Sequence, residues 1–232
     1  MMTTRWALAT AAAVTLVAAA CAGPVAQETP STPPSADAPV ALFLGDSYAQ
    51  GTGLSESELP TRWTTVLSGR AGWSEINAGC NGSGYTRRGG VCATNYVERV
   101  PALANADPDI VIVSGGVNDL SASRELIDMR VPETFTALRE AFPEAQIYAV
   151  NGIYYTGLVT PALLAYLNEA VEHAVTEVGG SYVDIGEPLL GHPELMGPDT
   201  LHPNSAGHAL ITDLTLQELS RVGGPVPSPS DT

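Results

Sequence analysis

The chain alternates short apolar runs with longer stretches in which apolar residues recur at the spacing of a helix. Each run is aliphatic or β-branched and is bounded by Gly, Pro, Asp or Asn, which is typical of buried strands. The runs predict five strands, over residues 40–44, 75–78, 110–114, 146–151 and 181–185. The longer stretches predict five helices, over residues 61–70, 95–104, 124–141, 161–178 and 204–222.

This order of elements favours an α/β fold in which helices cover both faces of a parallel sheet. In such open sheets, ligands bind beyond the carboxyl ends of the strands. Ser47, Gly79 and Asn118 each come just after one of the first three predicted strands. Because parallel strands end at the same edge, we expect these three residues to converge there.

The two ends of the chain lack this pattern. Residues 1–20 carry one positive charge, Arg5, followed by an apolar stretch that ends in small residues. This arrangement predicts a signal peptide, and the stretch is short for a membrane-spanning helix. Residues 21–39 and 223–232 are rich in Pro and Ser and predict a disordered tether and a disordered tail. The folded domain is therefore expected over residues 40–222.

Cys21 directly follows the predicted signal peptide, and residues 16–23 resemble a bacterial lipobox. In that motif the cysteine thiol is diacylated and becomes the mature N-terminus. Ala18 stands where the motif usually has Leu. Two interpretations stay open: lipidation of Cys21, which would anchor the protein to a membrane, and ordinary cleavage after Ala20, which would release it. Both predict an exported protein.

The chain has three cysteines. If Cys21 carries lipid, Cys80 and Cys92 remain as a pair, which an oxidising compartment would join. Such a bridge would close a loop of about 13 residues and contribute about 3 kcal/mol to stability in the chain-entropy description. The alternative is two buried reduced thiols.

The net charge of the chain restricts the classes of molecule that it is expected to bind. The formal net charge is −15 at pH 7 and the isoelectric point is near 4.4, which argues against DNA, RNA or an anionic membrane face. Acidity of this kind is common among secreted proteins and indicates no partner by itself. We expect a monomer.

Ser47 lies at the abrupt end of the first apolar run, in Gly45-Asp46-Ser47. A serine at this place can be a nucleophile, and it can equally cap the helix that follows. The later segment Gly116-Val-Asn118-Asp119 is likewise either a loop of hydrogen-bond donors or a plain turn. Taken together, a serine at a strand end, two donor-rich loops and a late Asp/His pair make a complete acyl-transfer site.

Among the four histidines, only His202 has a carboxylate at short range in a loop, namely Asp199. A general base needs one ring nitrogen aimed at the nucleophile and the other held by an acceptor, which Asp199 can be. The alternatives are an Asx-turn before the last helix and a pair of metal ligands. A metal site would need a third ligand, and neither Cys80 nor Cys92 has the spacing of a zinc site.

Four short motifs therefore follow one another along the predicted domain: Gly45-Asp46-Ser47, Gly79, Gly116-x-Asn118-Asp119 and Asp199-x-x-His202. In order and spacing they resemble the blocks of the SGNH/GDSL hydrolase superfamily. The resemblance covers nearly the whole predicted domain. It departs at Tyr48, where the eponymous motif has Leu.

This resemblance implies a flavodoxin-like three-layer sandwich with a five-stranded parallel sheet. It implies Ser47 as the nucleophile, His202 as the base and Asp199 as the group that orients the base. It also implies an oxyanion hole formed by the backbone N–H groups of Ser47 and Gly79 and by the side chain of Asn118. The implied mechanism uses no metal and no cofactor.

The implied activity is hydrolysis of carboxylic esters through an acyl-enzyme on Ser47. For an exported, tethered enzyme, we expect the substrates to be short acyl groups on glycans or glycolipids of the cell envelope. Two other classes stay open: an acyltransferase that uses the same site, and a non-catalytic envelope lipoprotein that keeps only the fold. The intact set of motif residues argues against the second.

Overall fold

The computed structural model describes residue 35 and residues 37–227. The predicted signal peptide, Cys21 and nearly all of the predicted tether lie outside them. The same holds for the last part of the predicted tail, residues 228–232. No helix in the described part of the chain is both long enough and apolar enough to cross a membrane.

Five strands form a single sheet in which every neighbouring pair is parallel. They are β1 (Val40–Gly45), β2 (Ser74–Gly79), β3 (Ile110–Ser114), β4 (Gln146–Val150) and β5 (Ser181–Val183). Their order across the sheet is β2-β1-β3-β4-β5, which is the flavodoxin-like order. The predicted five-stranded parallel sheet is confirmed.

Six α-helices and three short 3₁₀ turns lie between and after the described strands. The helices are α1 (Ser47–Gln50), α2 (Trp63–Ala71), α3 (Tyr96–Leu103), α4 (Arg124–Ala141), α5 (Ala162–Glu177) and α6 (Ser205–Arg221). The 3₁₀ turns are Leu59–Thr61, Val117–Asp119 and Pro193–Leu195. The five predicted helices correspond to α2–α6, and α1 is an additional helix that the hydrophobic pattern does not predict.

Two apolar clusters hold the helices against the two faces of the sheet. Alternate residues of the central strands point to opposite faces, so Leu42 and Val111 join one cluster while Phe43 and Ile112 join the other. The first cluster includes residues of α3, α4 and α5, and the second includes residues of α1, α2 and α6. The three-layer arrangement is therefore confirmed.

The central strands are buried on both faces, and this fixes the edge at which they end. All five residues of β3 are buried, as are five of the six residues of β1. Each buried Val, Leu, Ile or Phe side chain contributes about 1.5–3 kcal/mol relative to an exposed one. The loops at the carboxyl ends of β1 and β3 thus start from rigid positions.

At the other end of the chain, Val226 packs against the second cluster.

Candidate active site

Helix α1 begins immediately after β1. The side chain of Asp46 caps it, since Asp46 Oδ1 accepts a 2.9 Å hydrogen bond from the N–H of Tyr48. Ser47 is therefore the first residue of the helix, and it is buried. Of the two interpretations that the sequence left open, the capping role falls to Asp46, which leaves the hydroxyl of Ser47 free of it.

Burial and neighbouring charges perturb Asp46. Burial and the nearby charge of Asp119 raise its pKa, while the hydrogen bond from Tyr48 and the charge of His202 lower it. The balance is a pKa raised from 3.8 to about 6. Burial is thus the largest influence on this carboxyl group beside Ser47.

Asp199 holds His202 through both of its oxygens. Asp199 Oδ2 lies 2.6 Å from His202 Nδ1, and Asp199 Oδ1 accepts 3.0 Å hydrogen bonds from the N–H groups of Leu201 and His202. Burial raises the pKa of Asp199, but these hydrogen bonds and the charge of His202 outweigh it and lower the pKa to about 2. Asp199 is therefore ionised at neutral pH and orients a buried imidazole ring.

The Asx-turn that the sequence offered as an alternative is present as well, because Asp199 Oδ1 binds the two backbone N–H groups that follow. The metal alternative lacks a third ligand: across the described residues, no group of three or more His, Cys, Asp or Glu side chains is placed to hold a metal ion.

Ser47 and His202 line one cavity of about 70 Å³ at the carboxyl ends of β1, β3 and β4. Part of its wall is apolar, formed by Trp63, Val117, Val150, Ile153, Leu201 and Ile211. Its polar lining includes Asn81 and Asn118. The structure thus brings the predicted nucleophile, the predicted base and one predicted oxyanion donor into the same small space.

Asn118 lies in the 3₁₀ turn that follows β3. Its Nδ2 donates a 2.9 Å hydrogen bond to the carbonyl oxygen of Ser83. A side-chain amide carries two N–H donors, so the second remains for a group in the cavity.

Asp119, the next residue, has a different task. Its buried carboxylate accepts hydrogen bonds from the N–H groups of Tyr85, Thr86 and Arg87 and from the Thr86 hydroxyl. Burial nevertheless raises its pKa. Asp119 therefore anchors the loop after β2.

The structure does not place Gly79 in the oxyanion hole, and that prediction is wrong. The N–H of Gly79 donates to Asn77 Oδ1 at 2.9 Å, and Gly79 does not line the cavity. A glycine is needed at position 79 for close packing instead, because a Cβ atom there would lie 2.4 Å from the backbone nitrogen of Gln50.

The loop after β2 reaches the cavity two residues later, at Asn81. Residues 80–83 form a turn closed by a 3.2 Å hydrogen bond from Ser83 N–H to the Cys80 carbonyl, with Gly82 at φ +76°. Within residues 37–227, the N–H groups of Ser47 and Gly82 donate to no protein acceptor. Gly82 does not line the cavity itself, but it directly follows Asn81, which does, and its N–H is unpaired among these residues. This makes Gly82 the candidate donor in place of Gly79, and the Asn81-Gly82 dipeptide, a common turn signal, could have indicated it.

A disulfide joins Cys80 to Cys92 across this loop, with a Cα–Cα distance of 6.4 Å. It ties the start of the turn that holds Gly82 to the segment that precedes α3. Of the two alternatives for this pair of cysteines, a disulfide and two reduced thiols, the structure contains the disulfide. Cys21, the predicted lipidation site, lies outside the described residues.

Comparisons with known proteins identify a matching family and a related protein. The model of the GDSL-like Lipase/Acylhydrolase family matches residues 43–210. The chain is 29% identical over 188 residues to the GDSL lipase Rv0518 of Mycobacterium tuberculosis, an overlap of 75% of this chain and 78% of the relative.

Two solved structures show the same fold at low sequence identity. The salicylyl-acyltransferase SsfX3 from a tetracycline biosynthetic pathway aligns with a TM-score of 0.66 at 18% identity, over 83% of this chain and 57% of that one. A family two carbohydrate esterase from Clostridium thermocellum, in complex with cellohexaose, aligns with a TM-score of 0.63 at 18% identity, over 80% of this chain and 65% of that one.

Proposed function

We propose that this chain, which belongs to the GDSL-like lipase/acylhydrolase family, hydrolyses esters of short acyl groups through an acyl-enzyme on Ser47. The observation that carries the proposal is the cavity that Ser47 shares with His202, whose Nδ1 lies 2.6 Å from Asp199. A nucleophile, a base and an orienting carboxylate are the three groups that acyl transfer to serine requires.

The first step is attack on the ester. With the proton of His202 on Nδ1, directed at Asp199, the lone pair on Nε2 is available. Nε2 takes the proton of Ser47 as its oxygen bonds to the ester carbonyl carbon. The imidazolium that results is stabilised by the ionised Asp199.

The carbonyl oxygen acquires a negative charge in this step. We assign its stabilisation to the N–H groups of Ser47 and Gly82 and to the second N–H of Asn118. Such preorganised donors typically lower the barrier by about 3–4 kcal/mol each. The intermediate then collapses: the bond to the alcohol oxygen breaks, and His202 gives that oxygen its proton. Water attacks the acyl-enzyme by the same route, releasing the acid and restoring Ser47.

The size of the cavity supports a short acyl group. A volume of about 70 Å³ is small, being only several times the about 10–15 Å³ that a single water molecule needs. An acetyl to butyryl group fits such a space against the apolar wall, whereas a long fatty chain would have to leave it.

For the alcohol part we propose glycans or glycolipids of the cell envelope. The predicted signal peptide and lipobox-like segment support this, since they would place the enzyme there. The fold shared with a carbohydrate esterase is consistent with it.

A panel of chromogenic esters from two to sixteen acyl carbons tests the proposal. The expected result is highest kcat/KM at two to four carbons. Ile153→Ala removes atoms from the apolar wall and so enlarges the cavity, and it should move the optimum toward longer acyl chains. A rate that rises steadily to sixteen carbons would contradict the assigned acyl pocket. The same assay with a sugar acceptor separates hydrolysis from acyl transfer, because transfer yields an acylated sugar in place of free acid.

A further inference from the structure

Arg99 is buried in α3, with 8% of its surface exposed. Arginine is almost never buried to this extent unless it is paired with an acid. In the described part of the chain Arg99 forms no ion pair, and its Nε atom has no hydrogen-bond partner. Burial accordingly lowers the pKa of its guanidinium group. The contacts that offset the cost of burying this charge are those of its two other nitrogens.

The guanidinium group joins three segments at the edge of the sheet where the cavity lies. Its Nη1 donates to the carbonyl oxygen of Gly45, at the end of β1, at 3.1 Å, and also to the carbonyl oxygen of Ala78 in β2. Its Nη2 donates to the hydroxyl oxygen of Ser83 at 2.6 Å. Gly45 is two residues before Ser47, and Ser83 directly follows Gly82.

Ser83 connects Arg99 to both assigned oxyanion donors through further hydrogen bonds. Its hydroxyl donates a 2.7 Å hydrogen bond to the Cys80 carbonyl oxygen, which closes the turn around Gly82. Its own carbonyl oxygen accepts the 2.9 Å hydrogen bond from Asn118. A shift of Ser83 would therefore move the N–H of Gly82 and rotate the amide of Asn118 at the same time.

We propose that Arg99 is a positioning residue for ester hydrolysis: through Ser83, it fixes the Gly82 and Asn118 donors relative to the end of the nucleophile strand. The inference rests on the proposed function of this cavity. Because a misplacement of about 1 Å can lower a rate by roughly 100-fold, release of this contact should act on kcat.

The chain offers a matched control in Arg139. Its guanidinium group also donates to backbone carbonyl oxygens, those of Phe142, Pro143, Ala145 and Val178. These carbonyls lie before β4 and β5, at the opposite end of the sheet from the cavity. Arg139→Met therefore removes a comparable set of hydrogen bonds without touching the site.

The experiment measures kcat, KM and urea unfolding for Arg99→Met and Arg139→Met, with a short-chain chromogenic ester. Arg99→Met should lower kcat by about 10–100-fold with less than about a 3-fold change in KM. Arg139→Met should lower stability and leave kcat within about 2-fold. Arg99→Lys, which keeps the charge but cannot reach all three segments, should recover kcat only in part. Equal kcat values for the folded Met variants would overturn the proposal.

Two further variants keep the test decisive if Arg99→Met does not fold. Ser83→Ala removes the hydroxyl that receives Arg99 while keeping the carbonyl that receives Asn118, and it should lower kcat several-fold. In a double-mutant cycle, Arg99→Lys should lower kcat less in the Asn118→Ala background than in the wild type, because part of its effect passes through Asn118. Fully multiplicative losses, or no effect of Ser83→Ala, would contradict the proposal. Turnover that persists in Ser47→Ala would instead refute the proposed function itself.

Discussion

The hydroxyl of Tyr48 donates a 2.9 Å hydrogen bond to the carbonyl oxygen of Leu201. Tyr48 directly follows Ser47, and Leu201 directly precedes His202, so one hydrogen bond joins the nucleophile turn to the loop of the base. The rings of Tyr48 and His202 also meet edge to face, with their centroids 6.1 Å apart. The departure from the GDSL motif at this position therefore has a structural use.

Tyr48→Phe should lower kcat by about 3–10-fold, because the loop of His202 loses its contact with the nucleophile turn. The loss of unfolding free energy should be about 1 kcal/mol, the typical contribution of one hydrogen bond. Tyr148→Phe is the control, since the Tyr148 hydroxyl donates to Gln146 Oε1 at 2.8 Å and does not line the cavity. If both variants keep wild-type kcat, the Tyr48 contact has no part in aligning the site.

Asn118→Ala should lower kcat by about 10²–10³ with a much smaller change in KM, because an oxyanion donor acts on charge that develops in the transition state. Steady-state kinetics provides the measurement. Asp119→Ala is the comparison for stability, since it leaves four hydrogen-bond donors of the loop after β2 without their acceptor. An effect of Asn118→Ala confined to KM would make Asn118 a substrate-binding residue instead.

Cys92→Ser should reduce both stability and kcat, because the bridge to Cys80 holds the turn that carries Gly82. The expected loss of unfolding free energy is about 2–4 kcal/mol, and kcat should fall by at least about 10-fold. Reduction of the wild-type protein should have the same effect. Cys21→Ser is expected to change membrane attachment and leave kcat alone. Two cysteines that alkylate in the native, non-reduced protein would refute the bridge.

His208 should make stability fall at acidic pH. It is fully buried in α6, and its Nδ1 accepts a hydrogen bond from Trp63 N–H at 3.3 Å. Burial, together with the charges of Arg62 and His202, lowers its pKa from 6.5 to about 4. The unfolded chain therefore binds a proton between about pH 6.5 and pH 4 that the folded chain does not. Stability from this residue is complete above pH 6.5 and is lost as the pH falls toward 4, by up to about 3 kcal/mol.

Urea unfolding of the wild type and His208→Asn, at pH 7.5 and pH 4.5, measures this effect. The stability advantage of the wild type over the variant should shrink by about 2–3 kcal/mol at the lower pH. Asp46, whose raised pKa acts in the opposite direction, is present in both proteins and cancels from the comparison. His173→Asn, at an exposed position, is the control. A difference that does not depend on pH would contradict the assignment.

The fold could be predicted from sequence because its signals are local. Each strand is an apolar run closed by a turn residue, and the alternation of strands and helices implies a parallel sheet. Helix α1 could not be predicted because a helix of four residues is too short to show a helical periodicity. Asp199 and His202 could be paired because they are three residues apart in one loop.

The rest of the site depends on contacts between distant segments, which no local pattern contains. The resemblance to the family implies Gly79 as a donor, yet the N–H of Gly79 is hydrogen-bonded to the Asn77 side chain. The unpaired N–H of Gly82 lies in a turn that is bounded by the Cys80–Cys92 bridge and by the hydrogen bonds of Ser83 to the Cys80 carbonyl oxygen. Arg99 was missed because an arginine in a helix usually indicates a solvent-exposed face, whereas here its partners come from three other segments.

Ser47 is the residue that we propose to carry the acyl group. A fluorophosphonate probe reacts with an activated serine hydroxyl, and peptide mass spectrometry then identifies the residue that it labels. We predict one labelled residue, Ser47, and we expect labelling and ester turnover to be lost together in Ser47→Ala while thermal unfolding stays nearly unchanged. Labelling or turnover that persists in a folded Ser47→Ala protein would contradict the proposal.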